Sequence, residues 1–260
     1  MPSNTRAGEP IREAGHVEES ALGGGAVNEV VRVGETVRRT PVSPERSGYV
    51  TGLLAHFERR GWPGAPRFLG TDERGREMFR YIEGRAAVSA EERAAVRTDD
   101  SLVRVARLVR AFHDLSHGTP QAGDQDVVCH NDLAPKNTVY DSAWHPLAFV
   151  DWDLAAPGER VHDVAHVCWQ YLDLGPDIAD IPATARRIAL ICEAYGLDDT
   201  HRLLDAVLWW QDRCRRGIEA GAERGERGMV ALRARGVVDG IRDARDWVAA
   251  HHRELGAFLG

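Results

Sequence analysis

Asp132, Asn137 and Asp151 have the residue types and the spacing that phosphoryl transfer requires. Such a reaction needs a carboxylate beside the acceptor hydroxyl, to orient it and take its proton. It also needs oxygen ligands for magnesium, which bridges the phosphates and offsets their charge. Asp132 suits the first task; Asn137 and Asp151 suit the second. Four residues separate Asp132 from Asn137, enough for a loop to turn both side chains toward one point. Asp151 ends an apolar strand fourteen residues after Asn137, and His130 completes the pattern H-x-D-x-x-x-x-N. A lone H-x-D is common on surface loops; the conjunction with Asn137 and Asp151 carries the reading.

The elements around these residues read as an α+β chain. Residues 1–18 are polar and rich in Gly, Pro, Glu and Arg, and read as a loose leader. Gly23-Gly24-Gly25 precede a β-branched run, Val30–Val33; Gly34-Glu35 reads as a hairpin turn and Thr36–Arg39 as the returning strand. Ser43 and Pro44 are a helix cap and first-turn pair, and Val50, Leu53, Leu54 and Phe57 recur at helical spacing before Gly61. Arg67–Leu69 and Glu77–Ile82 read as two further strands. The pattern turns mainly helical after residue 85, with an amphipathic helix over 101–116. It is interrupted by the apolar Val127–Cys129, the loop HNDLAPKN and a small hairpin over 138–140 and 147–150, and from 160 onward it is helical. The expected domains are the leader 1–18, a sheet-plus-helix lobe 19–83 and a mainly helical lobe 84–260.

The segments HNDLAPKN and VDWDLAAPGERVHDVAH resemble the catalytic loop, metal loop and following helix of the aminoglycoside phosphotransferase-like kinases, relatives of the choline kinases. The resemblance extends over most of 20–200 through RVGETVRR, GAPRFLG and Tyr81-Ile82-Glu83-Gly84, and is specific over 127–166. It implies a bilobal protein-kinase-like fold binding Mg2+ and ATP (or GTP) between a small antiparallel β lobe and a helical lobe. It also implies roles: Asp132 as base or orienter, His130 bracing the loop, Asn137 and Asp151 on the metal, Asp163 holding the catalytic loop. Gly23–Gly25 would cover the phosphates, and the hinge at Arg80, Tyr81 and Ile82 would meet the nucleotide base. The implied acceptor is a hydroxyl of an aminoglycoside or another antibiotic, with sugars and amino alcohols still open. One departure stands out. The family commonly has a lysine on the third strand, whereas Lys136 is the only lysine here, so Arg38 or Arg39 must serve. Strand alternation favours Arg39, with Val37 on its face; Glu58 is the candidate partner, since Glu45 lies too near the helix start.

Other readings are weaker. Asp151-x-Asp153 resembles a dehalogenase-type phosphatase nucleophile, but that fold wants the pair early and alternating strands and helices after it. His162 and His166 have zinc-binding spacing, without the Glu of H-E-x-x-H; a structural role is expected. His113-Asp114 reads as a packed pair and Trp209-Trp210 as core for at least one member. The functional rival is a nucleotide-binding or immunity protein with little transferase activity, supported by the missing strand lysine. A net charge of −7 argues against nucleic acid as partner and is compatible with a cationic small-molecule substrate. The four cysteines form no C-x-x-C pair and are expected to be reduced. No secretory pattern or membrane-length apolar run is present, so the expected location is cytoplasmic, with no membrane partner.

Overall fold

A computed structural model describes residues 19–21 and 30–259. Gly23, Gly24 and Gly25 lie outside the described residues. The sheet is antiparallel, in the order β1-β2-β3-β5-β4. Its strands are β1 (Glu19–Ala21), β2 (Val30–Val33), β3 (Thr36–Arg39), β4 (Phe68–Thr71) and β5 (Glu77–Arg80). The register places Arg39 opposite Glu77 and Val37 opposite Phe79. Alternation therefore gathers Val37, Arg39, Glu77 and Phe79 on one face. Between β3 and β4 runs α1 (Pro44–Arg59), capped by the Ser43 hydroxyl accepting from the Arg46 amide. Its apolar stripe Val50, Leu53, Leu54 and Phe57 is buried, as its spacing requires.

The rest is mainly helical: α2 (Ala90–Ala95), α3 (Asp99–Ser116), α4 (Arg160–Leu172), α5 (Ile181–Tyr195), α6 (Leu203–Glu223), α7 (Arg227–Ala234), α8 (Val237–Ala250) and α9 (His252–Leu255). Two short antiparallel pairs interrupt it. β7 (Thr138–Tyr140) pairs with β8 (Pro146–Phe149), the expected hairpin. β6 (Val127–Cys129) pairs with β9 (Ala156–Gly158), which sequence propensity does not announce because β9 holds a Pro and a Gly. The pairing explains that Gly: a Cβ at Gly158 would lie 2.8 Å from the Cys129 sulfur. The fold is thus bilobal and kinase-like, with a small antiparallel β part and a helical part. Among the described residues no helix is long and apolar enough to cross a membrane.

An aromatic cluster joins the two parts behind the chemistry. Phe57 of α1, Trp62, Phe112 of α3 and Trp152 pack at ring separations of 5.1–6.4 Å. The Trp152 indole also donates to the Phe149 carbonyl at 2.9 Å. Asp151 is therefore flanked by a residue that cannot move without disturbing the core.

Candidate active site

The loop between β6 and β7 carries His130 to Asn137. His130 is fully buried. Its Nε2–H donates to the Val150 carbonyl (3.1 Å), so Nδ1 is left to accept from the Asp132 amide (3.3 Å). Burial lowers the imidazole pKa, which favours this neutral form. One side chain thus ties the loop between β6 and β7 to the strand end that presents Asp151.

Asp163 of α4 holds the same loop from below. Its carboxylate accepts the amides of His130 (2.6 Å) and Asn131 (3.0 Å) and faces Nε2 of His113 (3.1 Å). Nδ1 of His113 meets the Tyr195 hydroxyl at 2.8 Å. Burial pushes the Asp163 carboxyl upward, but the His113 contact and the loop amides outweigh it and hold it below its usual value. This anchoring supports a left-handed backbone at Asn131 (φ 65°); Asp151 adopts the same conformation (φ 63°). Asn and Asp tolerate that region better than most residues, and here it swings the two adjoining segments toward each other.

Asp132 and Asn137 meet as their spacing suggested. Asn137 Nδ2 donates to Asp132 Oδ2 (2.7 Å) and to the Asp132 carbonyl (2.9 Å). Lys136 reaches Asp132 Oδ2 at 3.3 Å. Asp132 Oδ1 and Asn137 Oδ1 accept no hydrogen bond from the described residues, so both remain open to a ligand. Asp151 is half exposed, yet its carboxyl is raised above its ordinary value, first by desolvation and then by Asp153 and Asp132. Asp151 thus lies within electrostatic reach of two other carboxylates, which favours a bound cation, and carboxylate and carboxamide oxygens are the donors a hard divalent ion takes. The residues present therefore fit magnesium.

Arg39 closes the site from the sheet. Its guanidinium spans Glu77 (3.0 Å), Asp153 (2.7 Å) and Asp151 (3.9 Å). Arg38 faces away and pairs with Asp72 at 3.4 Å. The expectation of Glu58 as partner fails: Glu58 bonds Arg67 at the far end of α1. The partner is Glu77, directly across the ladder and almost fully buried, which also accepts from the Ser47 hydroxyl. Glu77 opens a strand and alternates with buried Phe79, a signal that the sequence contains. Arg46 of α1 was not anticipated either. It donates to the Asp153 carbonyl (2.5 Å) and to the Ala155 carbonyl, fixing the segment after Asp151.

At the segment expected to be the hinge, the amides of Arg80 and Tyr81 are occupied by the carbonyls of Arg67 and Glu35. The Arg80 side chain is exposed, and with Ile82, Glu58 and Trp62 it lines a cavity of ≈ 320 Å³. Tyr81 stacks under Arg32 at 3.7 Å. Amides with no partner among the described residues begin at Ile82. Gly84 then passes close to β7; a Cβ there would lie 2.5 Å from the Tyr140 carbonyl and 2.6 Å from Val139, at φ +150°. Gly84→Ala is expected to push this segment off β7 and raise the nucleotide KM roughly five- to a hundredfold, the equivalent of about 1–3 kcal/mol of backbone strain. Steady-state kinetics with an unchanged KM would contradict that placement.

The weaker candidates have structural places. His166 Nδ1 donates to the Leu133 carbonyl (2.9 Å) and His162 stacks on Trp209 (4.7 Å). Neither belongs to a cluster of three potential metal ligands among the described residues. His113 and Asp114 do not pair; Asp114 binds Arg110 and Arg160. Trp210 is buried and Trp209 is exposed.

Comparison with known proteins agrees with this architecture. A trifolitoxin immunity protein of Rhizobium leguminosarum bv. trifolii is 27% identical over 208 residues, covering 71% of this chain and 77% of that one. A choline/ethanolamine kinase family protein from Mesorhizobium loti superposes with TM-score 0.57 at 19% identity, covering 94% and 93% of the two chains. A GDP-bound aminoglycoside 2′-phosphotransferase mutant gives TM-score 0.60 at 13% identity, covering 90% and 92%. At these identities the structural likeness speaks to the fold. The phosphotransferase enzyme family model matches residues 34–206, which include β3, the hinge and both loops. That match covers more than half of the sequence, and the chain belongs to the phosphotransferase enzyme family.

Proposed function

We propose that this protein transfers the γ-phosphoryl group of ATP or GTP to a hydroxyl of a small molecule, an antibiotic being the leading class, with magnesium. The observation that carries this reading is the contact of Asp132 with Asn137, beside an Asp151 that feels the Asp132 charge and is reached by Arg39 from the sheet. Residues 19–83 would cover the nucleotide and 84–260 would supply the chemistry and the acceptor site. Asn137 Oδ1 and the Asp151 carboxylate would hold the ion, which offsets phosphate charge when bound. Asp132 Oδ1 accepts the acceptor's proton as its oxygen attacks phosphorus, and the bond to the β-phosphate oxygen breaks to release the nucleoside diphosphate. His130 and Asp163 keep that carboxylate in place. Ile82 and the residues after it offer hinge amides to the base, and Arg39 offers guanidinium N–H groups to the phosphates.

The likeness to a GDP-bound aminoglycoside enzyme supports an antibiotic acceptor and keeps GTP open as donor, while the likeness to an immunity protein fits, loosely, an immunity protein with little transferase activity. A second reading, a nucleotide binder with little transferase activity, draws on the engagement of Arg39 by Glu77 and Asp153. Mass spectrometry of a panel of aminoglycosides, other antibiotics and small alcohols separates the two. A phosphorylated product that requires magnesium and intact Asp151 supports transfer. Nucleotide binding without any product supports the second reading.

Arg39 gives a further test. A lysine cannot reproduce a planar fork that meets both Glu77 and Asp153. Arg39→Lys is expected to raise the nucleotide KM roughly tenfold, the worth of one charge-assisted hydrogen bond. Equal or better KM in the lysine variant would show that a point charge suffices and that the fork of Arg39 is not required.

A further inference from the structure

We propose that the acceptor wall is the aromatic, basic face of α6, and that it selects a hydroxylated small molecule with an aromatic body and a carboxylate. This rests on the phosphotransfer reading and narrows its substrate away from polycations.

The wall is tied to the catalytic loop through α4. His166 binds the carbonyl of Leu133, the neighbour of Asp132, and its ring meets Trp210 edge-on at 5.0 Å. Trp210 donates to the His162 carbonyl (2.6 Å), and the His162 ring lies nearly parallel to Trp209 at 4.7 Å. One turn on, Cys214 has its thiol pushed up to about 11, by burial first and by the Asp132 carboxylate next, with Arg213 and Lys136 opposing. Through His166, this face of α6 is one side chain removed from Leu133, the residue that follows the proposed base.

Its charge is unlike a polycation site. Apart from the exposed Glu223 at its C-terminal end, the carboxylates of α6, Asp205, Asp212 and Glu219, recur every seven residues and share a stripe. Each is engaged, by His252, by Arg215 and Arg216, and by Arg215 and Arg242. The neighbouring stripe through Trp210, Arg213 and Gly217 carries no carboxylate. Arg213 is exposed and has no acidic partner among the described residues; its guanidinium lies over Trp209 and Trp210 at 5.3 and 5.5 Å. A Cβ at Gly217 would meet nothing within 4 Å, so the space beside this stripe is open. A guanidinium held on two indoles is set to receive a carboxylate through its fork, and the exposed part of Trp209, the indole that is not buried, gives a flat ring a surface to pack on. A polycation would meet Arg213 and Lys136 here, and Asp132 and Asp151 already have other work.

The test uses two probes of one shape and opposite charge, para-(hydroxymethyl)benzoate and para-(hydroxymethyl)benzylammonium. Ligand-observed NMR titration of the full chain is run with and without magnesium and a non-hydrolysable ATP analogue. The benzoate is expected to bind roughly tenfold tighter or more, the worth of a hydrogen bond to a charged group. Arg213→Glu is expected to reverse the order, and Trp209→Ala to weaken both probes alike. Equal binding, tighter binding of the ammonium probe, no binding of either, or an order unchanged by Arg213→Glu overturns the substrate inference. Failure of the nucleotide analogue to bind, with the probe order intact, overturns the phosphotransfer reading instead.

Discussion

Asp132→Ala is expected to lower turnover by roughly 10²–10⁴-fold, the usual contribution of a positioned general base, while nucleotide binding is retained. The basis is that Asp132 offers an open Oδ1 beside the site while its Oδ2 is anchored by Asn137 and Lys136. Alanine removes the proton acceptor and releases Asn137, whose amide loses one of its two acceptors. The backbone remains braced by His130 and Asp163, so the fold is expected to survive. Asp132→Asn separates the contributions. It keeps the shape but accepts no proton at neutral pH, so its turnover is expected to fall nearly as far as alanine's. Turnover near wild type in either variant would remove Asp132 from the chemistry.

Asp163→Ala is expected to cost the most stability of any single change in the site. Its fully buried carboxylate satisfies two loop amides and faces a buried His113. Removing one member of such a buried set costs about 3–5 kcal/mol. In a chain of this size each kcal/mol moves Tm by roughly 2–4 °C, so a fall on the order of 10 °C is expected. The effect carries a pH signature. Because the folded carboxyl titrates below its ordinary value of 3.8, its contribution is complete above that value and is lost as pH falls through the folded one. The gap in Tm between wild type and Asp163→Ala should therefore be full at neutral pH and shrink in acid. A variant that melts with the wild type at pH 7 would mean that the loop is held by other contacts. Activity should fall with stability, because the left-handed Asn131 loses its support.

Much of this site was legible in the sequence because its key spacings are local. The loop from His130 to Asn137 is short enough that spacing dictates convergence. The β-branched runs flanking Gly34-Glu35 specified a hairpin whose alternation places Arg39 beneath the sheet. The helix over 101–116 was legible from its apolar period and begins two residues earlier in the structure, where Thr98 caps it. What sequence concealed depends on long-range register. The partner of Arg39 was sought on the following helix, whereas it comes from β5, thirty-eight residues away, by cross-strand pairing. The pairing of β9 with β6 was hidden because Pro157 and Gly158 lack strand propensity and are set there by tertiary contact. The face of α6 showed as a helix with two tryptophans. Which of them is covered depends on where α4 lies, and no local pattern encodes that.

The most direct test of the central claim is nucleotide binding by titration calorimetry, with ATP and with GTP, in the presence and absence of magnesium, for the wild type and Asp151→Ala. If Asn137 and Asp151 hold the magnesium of a bound nucleotide, as proposed, binding by the wild type depends on magnesium and that dependence is lost in Asp151→Ala. No nucleotide binding, or equal affinity with and without magnesium in both proteins, would contradict the account.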